Sequence, residues 1–407
     1  MMAAIAWRSL GRNRRRSILT AGAIGFSVLL TVFAWSAQVG QFGMMVDQAA
    51  RLSSGHIQLQ APPYLANPRL RDTVGNVTAL LARLRADPGV DGVLPRAMSF
   101  ALLSHGERSF GAQVIGVDPR AELRSSTMPG FVGVPGRYLR ETNGAEAVIG
   151  GALAQNLNLK LGDELVVLGT GKEGGVAALV LAVVGIMHSG SAEIDRSLVF
   201  IPIDTFRAAF ELGDEASVIA VMAKDTVASD ALLPRLRALL PASVAVRGWR
   251  ELMPEIEQLM RMKVAGTMLM MGMLGLMVTF SIVNTFIMTI FERTREMGML
   301  MAIGMTPGRV QRMLQLESML LCGAGVLGGG VLAMVLVTWL HRVGIPLPQS
   351  AETALAQFQM PTRLYPKFDW VSLVWPCVLM FVATQIAAFL PSLRIRRLQP
   401  VEALRAI

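Results

Sequence analysis

Residues 264–310 read VAGTMLMMGMLGLMVTFSIVNTFIMTIF and then ERTREMGMLMAIGMTPGRV. The first part, from Val264 to Phe291, contains no charged residue. At ~1.5 Å of helical rise per residue it is longer than the roughly 30 Å hydrocarbon core of a bilayer. The second part interrupts that run with Glu292, Arg293, Arg295 and Glu296. It keeps an apolar pattern of helical spacing through Met297, Leu300, Met301 and Gly304. Gly304 offers a helix stop, and Thr306 can cap a new helix whose first residue, Pro307, needs no N–H. The expectation is a membrane helix that ends in a short amphipathic helix at the membrane surface before the chain turns back in. Two readings fit that element: a coupling helix that docks onto a partner through an apolar ridge and fixed charges, or an interfacial helix lying among lipid headgroups.

Outward from this stretch, the chain has 407 residues, 53% of them hydrophobic and 16% charged, too apolar for an ordinary soluble protein. Residues 17–46, 264–291, 318–340 and 370–393 are uncharged runs long enough to cross a bilayer as helices. A fifth apolar run, Val176–Met187, is too short to span and reads as a buried strand. The net charge of +9 gathers at the two ends. Arg8, Arg12, Arg14, Arg15 and Arg16 precede the first crossing without an acid, and Arg394, Arg396, Arg397 and Arg405 face only Glu402 in the tail. That is the positive-inside pattern of membrane proteins and not a nucleic-acid-binding face, so no nucleic-acid partner is expected.

Both termini are therefore expected in the cytoplasm. Residues 1–17 form a basic N-terminus, 18–46 the first crossing, 47–263 a large extracytoplasmic α+β domain and 264–291 the second crossing. Residues 292–310 form a cytoplasmic coupling helix and turn, 311–340 the third crossing, 341–369 a short external loop, 370–393 the fourth crossing and 394–407 a cytoplasmic tail. The arginines before residues 18–34 and the following AWSA also fit a signal peptide cleaved near Ser36. The length of the run, with helical character continuing through Met44, Asp47 and Arg51, favours a retained helix.

The external region reads as mixed α+β. SSGHIQLQAP gives a strand, Val74 to Asp87 an amphipathic helix, and SHGER the turn of a hairpin between strands near 93–103 and 110–117. Residues 118–140, with Pro119, Pro129 and Pro135, read as a looser stretch. AVIG, GALAQNLNL and DELVVLG read as strand, helix and strand. Helices are expected near 205–210 and 229–240, with a strand at 218–223 between them. Trp249 to Lys263 reads as one amphipathic segment leading into the second crossing. Cys322 and Cys377 both fall in membrane segments, so the domain has no disulfide framework.

No catalytic constellation emerges. GTGKEGG at 169–175 lacks the first glycine and the Ser/Thr of a phosphate loop, and reads as a hairpin. His56, His105, His188 and His341 stand singly, and no metal site is expected. Methionine is the oddity: 13 of 26 lie between Met253 and Met305. Met268, Met270, Met271, Met273 and Met277 fit either an adaptable apolar cargo surface or ordinary helix packing against neighbours and lipid. Gly325 and Gly329 form a small-xxx-small pair suited to close helix packing. Ser281, Asn284, Thr285 and Gln385 are polar groups placed to bond neighbouring helices. The absence of ionisable residues from the core of the crossings argues against an ion channel or proton-coupled carrier.

RSLGRNRRRSILT, VIGGALAQNLNLKLGDELVVL, ERTREMGMLMAIGMTPGRV and LRIRRLQPVEALR, in this order, resemble the FtsX/MacB-like permeases of type VII ABC transporters along essentially the whole chain. The resemblance implies a MacB-like external domain, an inner-membrane location and a permease dimer of two copies or paralogues. It implies a separate cytoplasmic ATPase dimer that carries ATP and Mg, with no cofactor bound by this chain. It also implies that Glu292, Arg293, Arg295, Glu296, Met297, Gly298, Leu300 and Gly304 form the ATPase-coupling helix. The work would be mechanotransmission, in which ATP closes the ATPase dimer and the external domains move. Chain length and one large domain between the first two crossings are similar to lipoprotein-releasing and macrolide-exporter-like permeases alike, and SGHIQLQ resembles the lipoprotein-releasing ones, which implies lipidated cargo passed to a periplasmic carrier or adaptor. Two alternatives stand beside that reading: MacB-like efflux of small molecules or peptides, and an FtsX-like regulator of a periplasmic enzyme.

Overall fold

The structure, a computed structural model, describes residues 14–346 and 363–393. The expectations for Arg8, Arg12 and the C-terminal arginines with Glu402, and for residues 347–362 of the external loop, lie outside the described residues. The described chain forms two compact units, one of residues 14–41, 260–346 and 363–393, the other of residues 42–259.

Helix α1 (Arg14–Ala49) continues through a π-helical turn (Ala50–Ser54) and leads into strand β1 (Ile57–Gln60). Then come β2 (Val74–Gly75), α2 (Val77–Arg85), the hairpin β3 (Gly92–His105) and β4 (Arg108–Val117), and α3 (Pro119–Ser125). They are followed by β5 (Glu146–Gly150), α4 (Gly151–Leu157), β6 (Glu164–Thr170), β7 (Val176–Met187), α5 (Ala192–Ser197), β8 (Leu198–Pro202) and α6 (Ile203–Ala209). The unit closes with β9 (Glu215–Ala216), β10 (Val218–Met222), α7 (Thr226–Leu239), β11 (Ala245–Gly248) and α8 (Trp249–Leu252).

Nine strands share one sheet in the order β11-β1-β10-β3-β4-β8-β5-β7-β6. It curls until β6 pairs back onto β3, with Leu102 opposite Leu168, so the strands from β3 to β6 close into a ring. Alternate residues of these strands, among them Leu103, Val114, Ile149, Val167, Leu181 and Val199, meet α4 and α6 in the largest core. A second core joins β1, β10 and β11 to α2 and α7 through Ile57, Ile219, Val246, Leu84 and Leu236.

Several local expectations need correction. The start of the expected 74–87 helix is strand β2, and the helix itself begins at Val77. The stretch 118–140 contains α3, whose Asp118 side chain accepts from Arg120 N at 3.0 Å and Ala121 N at 3.3 Å, with Pro119 in the first turn. Strand β7 is buried on one face only: Ala177, Leu181 and Val183 point into the core while Val176 and Val180 are exposed. The segment from Trp249 to Lys263 does lead directly into the second crossing, as a short helix α8 that stops at Leu252 and a second helix that runs on from Pro254.

The other unit contains α1 up to Gln41, α9 (Pro254–Glu292) from Met260 onward, α10 (Thr294–Ala302), α11 (Pro307–Val343), the short pair β12 (Ile345–Pro346) and β13 (Arg363–Leu364), and α12 (Trp370–Ser392). Among the described residues, four helices, α1 with its π-helical turn, α9, α11 and α12, are long and apolar enough to cross a membrane. Their shared core includes Ile24, Val28, Ile282, Phe286, Cys322, Val326, Met380 and Ala387. Phe280, Leu327, Val331 and Ile386 remain exposed on the outside, as expected where lipid tails are the solvent.

Candidate functional site

The charged break after α9 folds as a staple. Arg293 sits between α9 and α10; its Nε donates to Glu296 at 3.1 Å and its Nη1 to Glu317 of α11 at 3.2 Å. Thr294 Oγ1 donates to the Ile290 carbonyl at 2.7 Å, which ties α10 back to the end of α9. Beneath these polar ties, Ile290, Met297, Met301, Val310 and Leu314 form a separate apolar cluster. Gly304 takes φ +103° and turns the chain, and α11 starts at Pro307 with Thr306 before it. The Thr306 side chain makes no capping hydrogen bond, contrary to the expected cap; its carbonyl accepts from Arg309 N at 2.9 Å instead.

The expected coupling residues therefore divide. Met297 and Gly298 are buried within the chain, so they support the element and cannot themselves meet a partner. Arg293 and Glu296 are engaged in the staple, and Leu300 is half-buried. Glu292, Arg295 and Gly304 face outward, beside Met299 and Ile303, which the charge pattern did not single out. Ile303, 79% exposed at the end of α10, is a large apolar side chain on an otherwise well-tied element.

The methionine set also divides. Met271 is 5% exposed and packs inward. At 3.6 residues per turn Met270, Met273 and Met277 share one face, while Met268 points the opposite way, so the five do not make one surface. Met270 alone of the five lines a groove of about 380 Å³ between α1 and α9, with Ala34, Ala37, Gln38, Gln41, Lys263, Gly266, Thr267 and Leu364. Both polar atoms of the Gln38 side chain are closed off from solvent without a hydrogen-bond partner among the described residues. Gln38 and Gln41 sit i, i+3 in an otherwise apolar run, which is the signal that reading for charge passed over.

Gly325 and Gly329 meet α1. A Cβ built on Gly25 would lie 3.0 Å from the Gly325 carbonyl oxygen and 3.5 Å from Gly329 N. Gln385 of α12 accepts from Gln315 Nε2 at 3.0 Å and from Ser318 Oγ at 3.2 Å, both on α11. Among the described residues, no group of His, Cys, Asp and Glu is placed to hold a metal ion.

Residues 17–239 match the MacB-like periplasmic core domain family, and residues 268–400 match the FtsX-like permease C-terminal family. The chain is 24% identical over 340 residues to the lipoprotein-releasing system transmembrane protein LolC of Xylella fastidiosa (strain 9a5c), covering 80% of each. It is 22% identical to the lipoprotein-releasing system transmembrane protein LolE of Haemophilus influenzae, covering 98% of each. It is 26% identical to the macrolide export ATP-binding/permease protein MacB of Rhodospirillum rubrum, over 99% of this chain and 60% of that one. Among solved structures, the periplasmic region of MacB from Actinobacillus actinomycetemcomitans aligns with a TM-score of 0.37 and 18% identity, over 49% of this chain and 92% of that one.

Proposed function

The chain belongs to the FtsX/MacB-like permeases of type VII ABC transporters, and from that premise we propose that it extracts lipoproteins, or other lipidated apolar cargo, from the inner membrane to the periplasm. The observation that carries this reading is the groove between α1 and α9. Ala34, Ala37 and Gly266 leave room for an acyl chain close to the backbone, and Met270 adapts to its shape. Gln41 and Lys263 on the same groove offer donors to the ester and amide carbonyls of an acylated N-terminus.

In this reading both termini are cytoplasmic, and residues 47–263 are periplasmic. ATP and Mg bind a separate ATPase dimer that engages the outer face of α10, and a second permease copy or paralogue completes the membrane part. Closure of the ATPase displaces the long helices and the external domain moves, passing cargo to a periplasmic carrier or adaptor. Efflux of small molecules is the second reading. It is favoured by the MacB relative and by the pyoverdine export protein PvdT of Pseudomonas putida, 25% identical over 98% of this chain.

Mass spectrometry of the detergent-solubilised complex, purified with a hydrolysis-dead ATPase, tests the proposal. A stoichiometric triacylated protein is expected, and Ala37→Trp, which fills the groove, should lower its yield at least ~10-fold, the equivalent of about 1.4 kcal/mol. The ATPase should still co-purify with that variant. A bound siderophore or peptide in place of the lipoprotein, or full cargo yield from Ala37→Trp, refutes it.

A further inference from the structure

Among the described residues, the external unit contains one ion pair whose two members are both shut away from water. Arg96 on β3 is 2% exposed and Glu122 on α3 is 1% exposed. The guanidinium makes a two-pronged contact, Nε to Glu122 Oε1 at 2.7 Å and Nη2 to Oε2 at 3.0 Å. Burial alone would lower the Arg96 value, but the Glu122 charge and its hydrogen bonds outweigh it and hold the guanidinium above its ordinary range. Burial first, and then the neighbouring Glu122 charge, push the adjacent Tyr138 phenol well above its ordinary value.

The remaining arm of Arg96 reaches beyond the pair. Its Nη1 donates to the carbonyl oxygen of Ser53. Ser53 belongs to the π-helical turn with which the first helix ends, where a wider ring leaves backbone carbonyls without helical partners. The same segment is held a second time: the Arg51 carbonyl accepts from Ser126 Oγ at 3.0 Å and Thr127 N at 3.2 Å. The Arg51 side chain is tied in turn to Asp47 at 3.1 Å and lies 3.6 Å from Asp91. Thus β3 and the α3 region grip the last turn of the first helix by its backbone.

Taking two charges out of water is costly, and a well-packed apolar pair of the same volume would serve stability as well or better. The pair gives direction instead: Glu122 fixes the plane of the guanidinium, and that plane aims Nη1 at one carbonyl. We propose that Arg96 is the positioning residue through which displacement of the first helix is passed to the external domain. The proposal rests on the force-transmitting reading given above. A shift of the π-helical turn carries the Ser53 carbonyl, and through Arg96 it carries β3, the strand at which the ring joins the rest of the sheet.

The test uses the full chain with its ATPase in nanodiscs, with Cys322 and Cys377 replaced by alanine. Spin labels at Val134→Cys and Leu327→Cys, both exposed positions, report the distance between the domain and the third crossing. The unaltered Arg96 background should change its distance distribution between the ATP-trapped and nucleotide-free states. R96M/E122L should keep its Tm and an ATPase rate within about twofold, because both charges leave together, yet lose that change. Arg96→Lys, which keeps a charge against Glu122 without the arm to Ser53, should lose most of it and decides the matter should the double variant fail to fold. A full distance change in either folded variant overturns the clamp. No change in the unaltered background refutes force transmission itself, and the clamp with it.

Discussion

Gly25, Gly325 and Gly329 bring the backbones of α1 and α11 together where a side chain on any of them meets the opposing main chain. Gly328, one residue along the same helix, has nothing within 4 Å of a built Cβ. The pair makes a controlled experiment. Gly329→Ile must push α1 away and is expected to cost about 1–3 kcal/mol, the usual range for overpacking. Gly328→Ile adds a lipid-facing side chain and should leave stability unchanged. Thermal unfolding of the two variants in the same detergent separates them; equal midpoints would mean that the close approach is not what holds these helices. The small-xxx-small spacing is visible in the sequence, whereas the partner Gly25 is not, because nothing local in α1 says which of its faces another helix will meet.

At the scale of an element, α10 has an inner and an outer side with different work to do. Met297 and Met301 close an apolar cluster with Ile290, Val310 and Leu314, and Arg293 links the break to Glu296 and Glu317. Arg295, Met299 and Ile303 recur at i, i+4 and i+8 on the outside. Ile303→Asp, or Arg295→Glu, is expected to reduce ATPase co-purification at least ~10-fold with no change in Tm, which corresponds to about 1.4 kcal/mol of binding. Met297→Ala should instead destabilise the permease by about 2–5 kcal/mol. Pull-down yield beside a melting curve checks both, and an Ile303→Asp chain that binds ATPase normally removes α10 from the interface.

Periodicity alone does not make this division, since Met297, Leu300 and Met301 look equivalent until α11 folds onto two of them. The hairpin of β3 and β4 and the strand–helix–strand of β5, α4 and β6 were legible because their alternation and turns are local. Helix α3 was hidden by its own start signal: Asp118 followed by Pro119 caps a helix, yet prolines in number suggest a loop. Strand β11, four residues long, exists by pairing with β1 from a distant part of the chain. The return of β6 onto β3 is non-local for the same reason, and no window of sequence contains it. Likewise Gln38 and Met270 come together only when α1 and α9 pack, so the groove was not legible although each residue was.

At the scale of the molecule, the two units answer to different solvents, and acid should act on them unequally. The external unit gathers ion pairs that pull carboxylates below their ordinary value. Hydrogen bonds from Arg137 lower Glu146. Burial raises Glu215 and Glu251, but bonds from Lys172 and Thr73 to the first and from Arg247 to the second outweigh it, and both end lowered. A carboxylate with a depressed folded value binds fewer protons folded than unfolded near that value, so stability rises with pH there. Its contribution is complete above the ordinary glutamate value of 4.5 and is lost as pH falls through the depressed folded value. Each pair is partly solvated and contributes at most about 1 kcal/mol, or about 2–4 °C in a domain of this size. Differential scanning fluorimetry of the full chain in detergent should therefore be flat from neutrality to about pH 5. Below that, the transition of the external unit should fall with acidification. Arg137→Met removes the partner of Glu146 and should lower the neutral midpoint while reducing the slope below pH 5. A midpoint that is independent of pH between about 5 and 3, or an Arg137→Met chain with the original slope, would show that these pairs carry no part of the acid sensitivity.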